Sequence, residues 1–391
     1  MVLAAKTTKL GVKERRNAKS WVPSVIPAFD VSQIEAVKRC LMKYATEYRD
    51  YLLSQDYIYS IDGEIDNPWY LLAVDSASFS IPLGGGVHLL LSGVCNDLER
   101  MIAQDVKTYV FANNMYVDAF ATLARLALEF DLIARLPLVM NTYVILDHSF
   151  NRIPIELNQI LYEMIAYGES LWNKDNDDFY QIWHSLMDAT FGPQGNFLKV
   201  INEKRIIAVT KENTSRYMLT NFQSFLESKG ECAGVIRSIG NLNDKTLMQC
   251  ILQPGEYLLP QVNHLGEKKT PYRVNIFRHS YNHIIDFVPL EHEFHDCQIL
   301  STYFLPKPDT SIQRIEYSEG SDINAILSTL RYYCLPHIPE IIQQARADEY
   351  AKFNLQHLNQ KHQEKLMKLV GCANNIKEGN LYKLLLSPQR S

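Results

Sequence analysis

Four of the chain's 11 histidines, His279, His283, His292 and His295, fall in one stretch, RHSYNHIIDFVPLEHEFHDC, at residues 278–297. Imidazole, carboxylate and thiolate groups gathered this closely are the donor set of a zinc or related transition-metal site. If Ser280, Tyr281 and Asn282 form a hairpin loop, His279 and His283 face each other with Cβ atoms about 5 Å apart. An ion shared between them, completed by Asp286, Glu291, Glu293 or Asp296, would serve a metal-dependent hydrolase or nuclease. Against this, alternation along an extended EHEFHDC sends His292 and His295 to opposite faces. Pro289 breaks the register before them, and the glutamate of an H-E-x-x-H helix is absent. The spacing therefore favours histidines satisfied at a hairpin and strand end, with the metal enzyme as the alternative.

Other chemistry-bearing patterns are weaker still. Gly84-Gly85-Gly86 is followed by VHLLL, with neither the Lys-Ser/Thr of a phosphate loop nor a G-x-G-x-x-G opening a helix, so it reads as a tight turn. No G-x-S-x-G elbow is present. The acidic clusters IDGEID (61–66) and KDNDD (174–178) lack calcium-loop spacing, and the second reads as a helix start. These searches predict no cofactor and favour a protein without catalytic activity.

The charge pattern suggests a different role. The net charge is −5, yet residues 1–20 carry Lys6, Lys9, Lys13, Arg15, Arg16 and Lys19 against the single acid Glu14. A second basic set, including Lys361, Lys365 and Lys368, lies toward the other end with Tyr350, Phe353 and Tyr382 among it. Basic groups interleaved with aromatics can hold a nucleic-acid strand by charge and stacking, and RNA is the expected partner.

Helical periodicity dominates residues 30–195. Ile34, Val37, Leu41, Tyr44, Tyr48 and Tyr51 recur at steps of three and four, one face of a helix that Asp30 and Gln33 can cap. Leu98 to Val110 is read as a second helix and 114–135 as a third, stopped by Pro137. Pro154 and Asp177/Asp178 open two more. A small β-hairpin is expected near 77–92. From 196 to 317 the period shifts toward two. KRIIAVT, RYMLT, AGVIRSIG, LMQCILQ, EYLLPQV, YRVNIFRH, HIIDFVPL, CQILSTYFL and SIQRIEY read as strands, with a helix at 220–229. Residues 318–391 return to helix. Ala351, Leu355, Leu358, His362, Leu366 and Leu369 form a narrow stripe of coiled-coil type.

These elements predict an α+β chain with four segments. A basic arm spans 1–29, a helical domain 30–195, an inserted antiparallel β-sandwich-like domain 196–317, and a helical segment 318–391 that packs on the first helical domain or on another subunit. Tyr44, Tyr48, Tyr51, Leu355, Leu358 and Leu366 are the candidate self-association residues of a homo-oligomer. The seven cysteines are widely spaced with no C-x-x-C, which points to reduced thiols in the cytoplasm. No run of about 18 apolar residues is present to cross a membrane, and no secretory leader is visible.

The helical–β–helical order resembles that of the middle-layer capsid proteins of double-stranded-RNA viruses, in which a β-sandwich is inserted on a helical base. The resemblance is one of organisation over the whole chain, and no motif carries it. It implies a self-assembling structural or scaffold protein of a viral shell, virion or inclusion that contacts nucleic acid.

Overall fold

The structure is a computed structural model, describing residues 31–61, 68–83, 86–111, 116–138, 141–150, 152–170, 178–192, 194–210, 216–231, 233–240, 242–264 and 298–372. Helix α1 (Val31–Ser54) precedes β1 (Ile58–Ser60) and three long strands, β2 (Tyr70–Leu83), β3 (Gly86–Asn96) and β4 (Met101–Phe111). Next come α2 (Val117–Arg135), β5 (Thr142–Leu146), α3 (Ile153–Ser170), α4 (Asp178–Phe191), α5 (Asn196–Ile201) and β6 (Ile206–Thr210). The helices α6 (Tyr217–Ser228), α7 (Ala233–Ile239) and α8 (Asp244–Ile251) follow. Four strands, β7 (Glu256–Leu258), β8 (Gln261–His264), β9 (Gln298–Phe304) and β10 (Gln313–Ser318), lead to α9 (Ile323–Tyr333) and the long α10 (Ile342–Gly371).

The ten described strands join one sheet in the order β1-β7-β9-β10-β6-β5-β2-β3-β4, with β8 paired to β9. At its centre β2, β5 and β6 run parallel, and the other pairs are antiparallel. The central strands are legible in composition. TYVIL and IIAVT are β-branched, apolar and buried at every position, as expected of parallel strands covered on both faces. Along β2 the alternation sorts Leu72 and Val74 into the core under α2, and Leu71 and Ala73 into the core under α9 and α10. A third core joins α1 to α6, α7 and α8 beside the β1–β7–β9 end.

The mixed α+β composition stands, but the described strands form one sheet and not a sandwich. Those from 196–317 complete the sheet that 58–146 begins. The stretch 101–110, read as helix, is the edge strand β4. Among the described residues it pairs only with β3, and it is exposed along most of its length, so apolar residues on both its faces imitate helical spacing. RYMLT, AGVIRSIG and LMQCILQ, read as strands, lie in α6, α7 and α8. Short apolar runs do not distinguish the two states, and the side chain of Asn243, which accepts from Thr246 N at 2.9 Å, decides for helix in the last.

Two packing contacts seat helices on this sheet. Gly93 of β3 lies under α2, where an added Cβ would come within 2.7 Å of Leu128 Cγ and 2.9 Å of Leu132 Cδ1. Only a residue without a side chain lets α2 come this close to the sheet. On the opposite face α10 lies over β2 and β3, burying Ala347, Ala351 and Leu355. Ala351, Leu355 and Leu358 of the predicted coiled-coil stripe are thus used against the chain's own sheet rather than against a helix.

Candidate active site

Acidic side chains gather where the parallel strands end. Val74 and Leu146 are the last in-register pair of β2 and β5. The next residues are Asp75 and Asp147, on neighbouring strands about 5 Å apart. Asp75 continues the alternation of Leu71 and Ala73 and so faces α10. Asp147 faces the same helix, because Gln344 in the first turn of α10 donates its Nε2 to Asp147 Oδ1. The same Nε2 reaches Val209 O at 2.8 Å. Asp75 is 4% exposed, and its Oδ1 accepts from Ser76 N at 2.7 Å. β2 continues to Leu83 with β3 at its side, whereas its pairing with β5 stops here, which opens an edge beside the two carboxylates. The carboxyl ends of parallel strands are where open α/β sheets bind ligands.

The residues after each aspartate are fixed from the other face. Ser76 donates its hydroxyl to Glu129 of α2, and His148 Nδ1 lies 2.9 Å from the other oxygen of that carboxylate. Glu129 is fully buried. Arg125, one turn earlier, donates its Nε to Ser76 Oγ at 3.3 Å. Ser149 donates to both oxygens of Glu316 on β10, at 2.8 and 2.9 Å, and Arg314 holds the same carboxylate at 2.9 Å. The tripeptide Asp147-His148-Ser149 is therefore held residue by residue by α10, α2 and β10.

Electrostatics within this network are mutual. Burial works against a charged imidazole at His148, but the adjacent Glu129 carboxylate outweighs it and pushes the pKa up to about 9. Burial likewise opposes the Glu129 charge, yet the facing His148 holds its pKa below the usual carboxylate range. The pair is an internal salt bridge at neutral pH, leaving Asp75 and Asp147 as the carboxylates on the α10 side.

Hard oxygen donors of this kind suit Mg²⁺ or Mn²⁺. Among the described residues no group of three or more His, Cys, Asp or Glu is arranged to hold an ion. The fit is instead to an ion carried by one or two carboxylates with water and substrate phosphate completing its shell, which is how Mg²⁺ is commonly bound.

Of the residues singled out by sequence, those the structure describes lie elsewhere. His279, His283, His292 and His295 are outside the described residues, as are Lys6, Lys9, Lys13, Arg15, Arg16 and Lys19. Lys361, Lys365 and Lys368 are exposed on the second half of α10. Tyr44, Tyr48 and Leu355 are buried inside the chain, Leu358 is half-buried, and Tyr51 is exposed. The Leu366 side chain is outside the described set. Spacing alone passes over Asp75 and Asp147, although one signal in the sequence does mark them. LLAVD and YVILD are both apolar strand-like runs that end in Asp, and paired strand ends carrying acids are a place to look for an ion.

No family model and no curated protein matches this sequence. Among solved structures, the chain is similar to the NurA nuclease from Sulfolobus solfataricus, at 13% identity and TM-score 0.54, over 86% of this chain and 94% of that one. A structure of NurA with manganese covers 88% of this chain and 99% of its own at 11% identity, with TM-score 0.49. Endonuclease V from Ciona intestinalis, in complex with a DNA 24mer, aligns at TM-score 0.29 and 11% identity over 83% of this chain and 99% of its own. The last two scores are too low to carry weight, and the first is a likeness of fold. It overturns the expectation of a structural shell or scaffold protein of viral, capsid-associated kind. That expectation rested on a helical base with an inserted sandwich, and the chain instead shares a nuclease's fold across nearly its whole length.

Proposed function

We propose that this protein is a divalent-metal-dependent nuclease acting where the pairing of β2 with β5 ends. The observation that carries the reading is the placement of Asp75 and Asp147, each the next residue after Val74 and Leu146, the last pair of two adjacent parallel strands. The fold likeness to a nuclease supports it. So does the tethering of each residue after β5 to a different element, since phosphodiester hydrolysis depends on groups held in place before substrate arrives.

In this reading Asp75 and Asp147 are the ion-binding carboxylates. A bound Mg²⁺ or Mn²⁺ would lower the pKa of water and offset charge on the scissile phosphate. Gln344 fixes the orientation of the Asp147 carboxylate through one of its oxygens. Glu129 positions both strand ends through Ser76 and His148. Lys361, Lys365 and Lys368, exposed on the helix whose first turn touches the site, offer phosphate contacts for the strand leading away from it.

The test is degradation of labelled single- and double-stranded DNA and RNA by the purified protein with Mg²⁺ or Mn²⁺, compared with Asp75→Asn and Asp147→Asn. Cleavage that needs the ion and falls in both variants supports the reading. Cleavage untouched by either substitution contradicts it.

A further inference from the structure

The far end of α10 carries a second arrangement that the proposed nuclease site does not use. His88 of β3, in register with Ile81 of β2 and Val110 of β4, faces α10 at 9% exposure. His362 comes down on it from α10, one turn beyond Leu358, and the two ring centroids are 4.4 Å apart. Leu355, Leu358, Ile81 and Leu90 form an apolar collar on one side. Within it, His88 Nδ1 and His362 Nε2 are both buried and have no hydrogen-bond partner. Asn359, one turn before His362, carries its Oδ1 in the same condition.

Buried polar atoms are normally satisfied, and two on one ring contact, with a third one turn away along α10, require a reason. Either nitrogen of a neutral imidazole presents a lone pair when the proton sits on the other, and two such nitrogens with an amide oxygen are donors that a borderline transition ion takes. We propose that His88 and His362 form a binding site for a divalent transition ion of the Zn²⁺ class, with Asn359 as an oxygen donor and water completing the shell, clipping the second half of α10 to the β2–β3 hairpin. Lys365 is exposed, one turn beyond His362 on α10, and its charge opposes a bound cation.

The test is Zn²⁺ titration of the full chain by calorimetry in excess Mg²⁺, in a His279→Ala/His283→Ala/His292→Ala/His295→Ala background that removes the other histidine cluster. We expect one Zn²⁺ per chain and a rise in Tm. His362→Ala, at a half-buried position, should weaken binding by about tenfold or more. Lys365→Ala should tighten it by about two- to fivefold, as removal of one exposed like charge does. His362→Gln replaces the ring if the alanine variant is unstable by circular dichroism. Absence of Zn²⁺ binding by the folded background protein overturns the proposal. So does an affinity that neither His362 substitution nor Lys365→Ala alters. Either result leaves the nuclease reading standing, because that is carried by Asp75 and Asp147 at the other end of the helix.

Discussion

Asp147, His148 and Ser149 follow one another in the chain, yet each answers to a different part of the molecule, so substitutions among them should separate chemistry from stability. Asp147→Asn and Asp75→Asn keep shape and volume. They should lower turnover by about a hundredfold or more, the scale of losing a group that stabilises developing charge, with Tm nearly unchanged. His148→Ala should act mainly on the fold. It leaves Glu129 charged in a dry interior, a defect that costs about 3–5 kcal/mol. The imidazole is raised from 6.5 to about 9, so its stabilisation is complete below the unfolded value and fades as pH rises through the folded one. The gap in Tm between wild type and His148→Ala should therefore be widest near pH 6 and narrow toward pH 9.5. Calorimetric scans across that range check it, and a gap constant in pH would contradict the assignment.

At the level of elements, site geometry depends on how closely α2 and α10 seat on the sheet. Gly93→Ala forces Leu128 and Leu132 outward, since the new methyl would lie inside 3.0 Å of both. The variant should lose about 1–3 kcal/mol, as overpacking does, and turnover should fall with it because Glu129 shifts from Ser76. Gln344→Ala should lower activity at saturating metal with less effect on Tm than Gly93→Ala. Paired thermal melts and initial rates distinguish the two. The sequence made some of these elements plain and hid others. The helices at 117–135, 153–170 and 323–333 and the strands at 206–210, 298–304 and 313–318 carry long periodic or β-branched runs, and the periodicity identifies them correctly. β4 was hidden because an edge strand has no buried side to show in its pattern. β5 was hidden because so short an apolar run, TYVIL, does not distinguish strand from helix. The site was hidden for a further reason. Asp75 and Asp147 are far apart in the chain, and only the register of two parallel strands makes them neighbours. The histidine cluster, by contrast, was conspicuous because its members are adjacent in sequence, which is no guide to adjacency in a sheet.

For the molecule as a whole, one sheet shared by early and late segments means that no half should stand alone. Removing residues 342–391 would strip α10 from β2 and β3 and uncover the apolar face that Ala347, Ala351 and Leu355 cover. That truncation should abolish cooperative unfolding, read as loss of a sigmoidal urea transition; a sharp transition in the truncated chain would show that the sheet is stable without the helix. Among the described residues no helix is long and apolar enough to cross a membrane. The measurement that bears most directly on the proposed activity is cleavage of labelled DNA and RNA by wild type, Asp75→Asn and Asp147→Asn across a Mn²⁺ titration. Ion-dependent cleavage by wild type, lost in both folded variants, is the predicted result. Cleavage that persists in both, or a folded wild type inert toward every substrate at saturating Mn²⁺ and Mg²⁺, would contradict it.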